Sequence, residues 1–114
     1  MGEVASDLTK AYSDNQLFEG AIKKANANPK VVEYLGKLEP LDRMAILEGQ
    51  IQYQNKNQTV TSSVRIIGAK GKARMDFEAY KINTEWIYTD INVRIRKPVE
   101  NKQTIEIDTQ DQTY

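Results

Sequence analysis

No cysteine and no histidine occur in these 114 residues. Disulfides, thiol nucleophiles and structural zinc are therefore excluded, as are a Ser-His-Asp triad and a Cys-His pair. Carboxylates, lysines, tyrosines and hydroxyls are what remains for chemistry. Proline is scarce at three residues and tryptophan occurs once. A charge excess is also missing: 16 basic residues offset 16 acidic ones. Nucleic-acid binders usually carry a basic surplus, so none is expected as a partner. No run approaches the roughly 20 apolar residues of a membrane span. Met1 to Lys10 lacks the basic start and apolar stretch of a signal peptide. The segment is therefore expected to behave as a soluble domain, and any membrane attachment to use an anchor absent from this chain.

The spacing of apolar residues predicts an α+β fold: two N-terminal helices packed on one face of an antiparallel meander of about five strands. Its bounds are 13–108, between a frayed segment 1–12 and a polar tail 109–114. Ser13-Asp-Asn-Gln16 reads as a capping box. Leu17, Phe18, Ala21, Ile22 and Ala25 then share one face of a helix over about 14–27. Gly20 is a mild weakness in it. Asn28-Pro29 suits the start of a second, short helix, and Gly36 its end. Residues 37–43 read as a connector.

From Ile46 the period changes to two, which predicts strands over 46–53, 59–67, 73–82, 86–96 and 102–108. Their short connections imply antiparallel neighbours. A three-residue turn at 83–85 sets Met75 opposite Val93 and Phe77 opposite Ile91. A four-residue turn at 69–72 sets Ile66 opposite Met75, Val64 opposite Phe77 and Arg65 opposite Asp76, an expected ion pair. The last hairpin pairs Val93 with Ile105 and Ile91 with Ile107. One face then collects Leu47, Ile51, Val60, Val64, Ile66, Met75, Phe77, Ala79, Ile87, Ile91, Val93, Ile95, Ile105 and Ile107. That is the expected core, covered by the helices.

Four features tempt a functional reading. Gly68-Ala-Lys-Gly-Lys72 has the glycines and lysines of a phosphate loop. A P-loop, however, needs G-x-x-x-x-G-K-[ST] between a strand and a helix. Here the spacing is shorter and a strand follows, so the stretch is a hairpin turn. Glu78 facing Asp90 is an unfavourable like-charge pair, read as a solvated face rather than a cation site. Asn57-Gln58-Thr59 matches a glycosylation sequon, read as chance. Tyr80, Ile82, Trp86, Tyr88 and Ile67 fall together on the second face, with Tyr80 facing Tyr88 and Ile82 facing Trp86. This aromatic corner is either covered by the chain itself, through segment 1–12, the connector 37–43 or the tail, or it is the candidate partner-binding patch, with Trp86 as anchor. No catalytic, cofactor-binding or metal-binding residue is nominated.

Several stretches in order carry a resemblance. They are Asn28-Pro-Lys-Val-Val-Glu-Tyr-Leu-Gly36, Gly49, Val64-x-Ile-x-Gly-Ala-Lys-Gly-Lys72, Phe77-Glu-Ala-x-Lys81, Trp86-x-Tyr88 and Val93. Together, over about 28–107, they resemble the cytochrome oxidase complex assembly protein 1 family. That family is similar in turn to the intermembrane-space domain of the mitochondrial Tim subunit of twenty-one kilodaltons. The resemblance implies a non-enzymatic interaction module on the extracytoplasmic side of a respiratory membrane, either a periplasmic face or the intermembrane space. It would act by binding membrane-associated protein partners. It implies no cofactor and no catalytic residue. The abundance of Asn, Lys and Ile suits a low-GC bacterium. The alternative is a small-ligand-binding α+β domain of the same space, with the helices walling a cavity over the sheet.

Overall fold

A computed structural model of the chain describes residues 15–109. The capping box at Ser13, the segment 1–12 and the end of the tail lie outside those residues. Helix α1 spans Asn15–Asn26, α2 Pro29–Leu35 and α3 Arg43–Glu48. Strands β1 (Gln50–Gln54), β2 (Thr59–Ile67), β3 (Lys72–Ile82), β4 (Glu85–Lys97) and β5 (Thr104–Glu106) follow, with a 3-10 turn at Val99–Asn101 before β5. The sheet order is β1-β2-β3-β4-β5, every pair antiparallel. The architecture is the expected α+β meander.

Helix α1 buries the stripe its spacing announces: Leu17, Phe18, Ala21, Ile22 and Ala25. Its Phe18 ring meets Phe77 of β3 edge-on at 5.8 Å, and Phe77 meets Tyr88 of β4 at 6.0 Å. Such edge contacts add to the area burial of each ring. Helix α2 begins as predicted. The Asn28 side chain accepts from the amides of Lys30 and Val31, satisfying donors a helix start leaves free, and Pro29 takes the first helical position. Gly36 closes the helix by donating to the Val32 carbonyl. Val31 and Leu35 are fully buried.

Residues 46–48 depart from the expected strand, as part of a helix that starts at Arg43. Asp42 accepts from the Ala45 amide at 2.8 Å, and Arg43-Met-Ala-Ile-Leu-Glu48 forms a short helix on β2. The helix buries Ala45 and Ile46 and turns Leu47 out, so Leu47 leaves the expected core. The segment 37–41 is pinned by Leu38, which is buried, bridges Gly68, and donates its amide to Asn26 Oδ1 at 2.9 Å.

Register holds in part. Met75 faces Val93, Phe77 faces Ile91 and Val93 faces Ile105, as predicted. Between β2 and β3 the pairing differs by two residues: Val64 faces Met75 and Ile66 faces Ala73. A shift of two keeps the same side chains inward, so the core survives. The outer face changes. Arg65 faces Arg74, Asp76 faces Ser63, and the expected Arg65–Asp76 pair does not form. Arg65 instead holds Glu48 at 2.8 Å.

The second difference is a bulge. Glu78 faces Asp90 but Ala79 faces Tyr88, which leaves Thr89 without a partner position. One extra residue flips the faces of β4. Ile91, Val93 and Ile95 point inward on one side of the bulge, and Tyr88 and Trp86 on the other. Ile87, expected inside, points out.

Candidate interaction surface

The helices cover one face of the sheet, and among the described residues the other face is open. Along β3 the open face displays Lys72, Arg74, Asp76, Glu78, Tyr80 and Ile82, the residues between the buried positions of the strand. It therefore has a basic end, an acidic middle and an apolar end.

The apolar end is the tip of the β3–β4 hairpin. Tyr80 faces Ile87 across the strands, and Ile82 lies two positions on. They are 37%, 36% and 50% exposed, high values for large apolar side chains. Asn83 turns the chain with φ of 58°, a value Asn tolerates better than most residues. The turn is two residues long, not three, because the Thr89 bulge shortens the register at this end.

The five residues expected to form one patch are divided. Tyr80 and Ile82 stay on the open face. Tyr88 is interior: its ring packs on Phe77 and its hydroxyl donates to the Leu17 carbonyl of α1. Burial pushes the phenol well above the ordinary tyrosine range. Trp86 also belongs to the helix side, half-buried against the core, 6.3 Å from the Tyr53 ring and under the Lys81 ammonium. Ile67 is at the far end of β2, opposite Lys72. Tyr80 does not face Tyr88, and Ile82 faces Glu85 rather than Trp86. Sequence reasoning missed Ile87; a strand whose apolar positions run 86, 88, 91, 93, 95 breaks strict alternation at 89 and so carries the signal of a bulge.

The middle and the basic end are tied by hydrogen bonds. Ser63 Oγ donates to Asp76 Oδ1 at 2.6 Å and accepts from Arg74 Nε at 2.9 Å. Arg94 grips the same carboxylate through Nε at 2.6 Å and Nη2 at 3.1 Å. The Asp76 carboxylate holds the Arg94 guanidinium above its ordinary pKa. Glu78 and Asp90 face each other as expected. No group of three or more potential metal ligands gathers among the described residues.

The glycine-lysine turn is a hairpin docked on α2. Gly68 donates to the Gly71 carbonyl, the Lys70 amide donates to the Leu35 carbonyl, and Lys70 Nζ reaches the Glu33 carbonyl. The Gly68 and Lys70 amides are thus spent on protein carbonyls and cannot cradle a phosphate. A Cβ on Gly71 would collide with the Lys97 carbonyl oxygen, so the glycine is required by close approach of two backbones.

A groove of about 500 Å³ lies on the helix side. Phe18, Ile22, Leu38, Pro40, Leu41 and Ile46 make its apolar wall, and Glu19, Lys23, Asn26 and Lys37 its polar part.

The sequence profile of the cytochrome oxidase complex assembly protein 1 family matches residues 5–109. The chain belongs to that family. Family membership gives it a role in assembly of cytochrome oxidase and ties it to the components of that complex. No curated protein and no solved structure matches it. No described helix of this family member is long and apolar enough to cross a membrane.

Proposed function

We propose that this assembly protein is a non-enzymatic module that binds a protein component of the oxidase-assembly machinery through the open face of its sheet, on the extracytoplasmic side of the membrane. The carrying observation is the exposed trio Tyr80, Ile82 and Ile87 at the tip of a face that is polar apart from the half-buried Ile67 at its far end. Apolar side chains gathered at one point and rimmed by charge are characteristic of protein contacts. A flat sheet surface suits a folded partner better than a small molecule. Of the five residues first nominated, Tyr80 and Ile82 would touch the partner. Trp86 and Tyr88 hold the hairpin in place from behind, and Ile67 lies at the opposite end of the same face. Membrane attachment is assigned to an anchor outside the described residues.

A deletion strain of the source cell provides the test. The wild-type chain restores assembled oxidase, read by haem absorbance of membranes and by native gel, and co-purifies with oxidase subunits. The double variant Ile82→Asp, Ile87→Asp, shown folded by circular dichroism, does neither. Normal assembly and co-purification with that variant would overturn the reading.

The groove favours a second reading, a small-ligand domain, because its volume lies in the range of ligand sites and a few polar groups converge on its apolar wall. Leu41→Trp, which fills the groove, separates the two. Assembly is retained if the sheet face is the working surface and lost if the groove is.

A further inference from the structure

The register of the sheet puts three arginines side by side. Arg65 faces Arg74 across β2 and β3, and Arg74 faces Arg94 across β3 and β4. Like charges at directly opposed positions are unfavourable, so the arrangement calls for compensation. Two carboxylates supply part of it: Glu48 holds Arg65 and Asp76 holds Arg94. The central arginine has no carboxylate partner among the described residues. Arg74 spends Nε on Ser63 Oγ and Nη2 on the Ser63 carbonyl, a long contact of 3.4 Å. Ser63 in turn donates to Asp76. Arg74 is thereby fixed in place while its charge is left over. Lys72 on the same strand adds to the surplus at this end of the face.

We propose that Arg74, flanked by Arg65 and Arg94, receives a carboxylate from an acidic segment of the partner protein, and that this ion pair sets the partner's orientation on the open face. The inference rests on the protein-docking reading above and names the chemistry of the partner. A guanidinium presents paired N–H groups that match a carboxylate, and a neighbour-held arginine loses less freedom on binding than a loose lysine. Complementary charge of this kind fixes register and speeds association more than it adds affinity. The apolar tip supplies the remaining contact. Arg74 and Tyr80 are six positions apart on one strand, about 20 Å at 3.4 Å per residue. The expected partner thus presents carboxylates about 20 Å from an apolar patch, a span within a standard protein interface. An anionic membrane or a nucleic acid fits less well. Either would bring dense phosphate against Glu78 and Asp90, which lie between the two ends of the face.

The test uses the whole chain, labelled with 15N-arginine, and fluorescein-labelled octa-glutamate as probe. Octa-glutamine, phosphatidylglycerol vesicles and inorganic phosphate are the comparison probes. Octa-glutamate should move the Nε–H resonances of Arg74 and its two neighbours, and binding should fall steeply with salt. Arg74→Gln should weaken it roughly tenfold, the loss expected for one charge-assisted hydrogen-bond pair. Arg74→Lys, which keeps the charge and loses the fork, should fall between. Lys30→Gln, a charge removed from α2, should leave binding unchanged. Equal binding by Arg74→Gln and wild type would overturn the proposal. So would binding of vesicles or phosphate without binding of octa-glutamate. Ile82→Asp separates this inference from the docking reading, because it should leave octa-glutamate binding intact while abolishing co-purification with oxidase subunits. Failure of the arginine tests with docking intact would sink the acidic-partner inference alone.

Discussion

Replacing Gly20 by Ala should destabilise this fold, against the ordinary preference of a helix. Gly20 lies within α1, where alanine is normally favoured by about 1 kcal/mol. The Tyr88 hydroxyl occupies the space an alanine methyl would need, with the ring carbon Cζ next at 3.1 Å. That hydroxyl is buried and bonded to the Leu17 carbonyl one turn earlier in the helix. A methyl must push the ring away, leaving a buried donor unpaired at about 1–3 kcal/mol and straining the Phe77–Tyr88 packing at about 1–3 kcal/mol. The two costs arise from one displacement and overlap. After subtracting the propensity gain, a net loss of about 1–3 kcal/mol is expected. The sign should change when the hydroxyl is removed. In a Tyr88→Phe background the nearest ring atom sits a few tenths of an ångström too close, which small shifts relieve, so Gly20→Ala should be neutral or mildly stabilising. Urea midpoints of the four proteins in this double-mutant cycle give the coupling, expected to exceed about 1.5 kcal/mol. A stabilising Gly20→Ala in the wild-type background would refute the argument. So would additivity of the two changes.

Tyr88 also implies a pH dependence. Its folded pKa is raised above the unfolded value of about 10, so its contribution is fully present below pH 10 and is lost as pH rises above it. Urea midpoints from pH 8 to 11 should fall for the wild type, and less steeply for Tyr88→Phe; parallel curves would contradict this. Gly71→Val should cost about 2 kcal/mol or more through the clash with the Lys97 carbonyl, whereas Lys70→Ala should change stability by less than about 0.5 kcal/mol. Equal effects in thermal melts would show that the turn is held differently. Trp86→Ala should cost about 1–3 kcal/mol, less than a fully buried aromatic, because Trp86 is half-buried against Tyr53. Its emission should be partly blue-shifted and partly quenched by iodide; a fully exposed spectrum would mean that the Tyr53 contact is not made.

Helices α1 and α2 were legible because each has a single unambiguous pattern: a 3.6-residue stripe in one, an Asn-Pro start and Gly stop in the other. The meander was legible because short polar connections leave few alternatives. Helix α3 was hidden by Ile46-Leu47, which reads equally as the start of a strand. The discriminating signal is Asp42 ahead of a six-residue stretch in which all but Ile46 are good helix formers, a cap that outweighs two apolar residues. The β2–β3 register was missed by two because core residues match equally well either way; β2 offers Val60, Val64 and Ile66 at even positions, so inward packing alone cannot tell one choice from the other. Turn geometry and the outer-face charges decide, and the outer face settles on arginine beside arginine, an outcome that pairwise charge matching argues against. The candidate patch failed for a different reason. Strict alternation through 86–96 was assumed, and Thr89 breaks it.

That single extra residue links the helix layer to the open face of the sheet. Without it, Tyr88 would share a face with Tyr80, and Ile87 would lie in the core. With it, Tyr88 turns inward and reaches the α1 backbone, which anchors the helix to the sheet through a buried hydrogen bond. The same half-turn sends Ile87 outward beside Tyr80. One irregularity thus builds the contact that holds the helix layer down and exposes the apolar group at the end of the open face. Bulges commonly re-aim side chains beside working surfaces, at the expense of local pairing. Here the re-aimed side chain is Ile87, and the tyrosine it displaces inward is a structural post. The exposed apolar tip is therefore not a leftover of imperfect burial. The core beneath it holds Tyr88, Phe77 and Phe18 in edge-to-face contact, and the bulge exchanges the facing of Tyr88 and Ile87, so turning Ile87 inward would turn the tyrosine out.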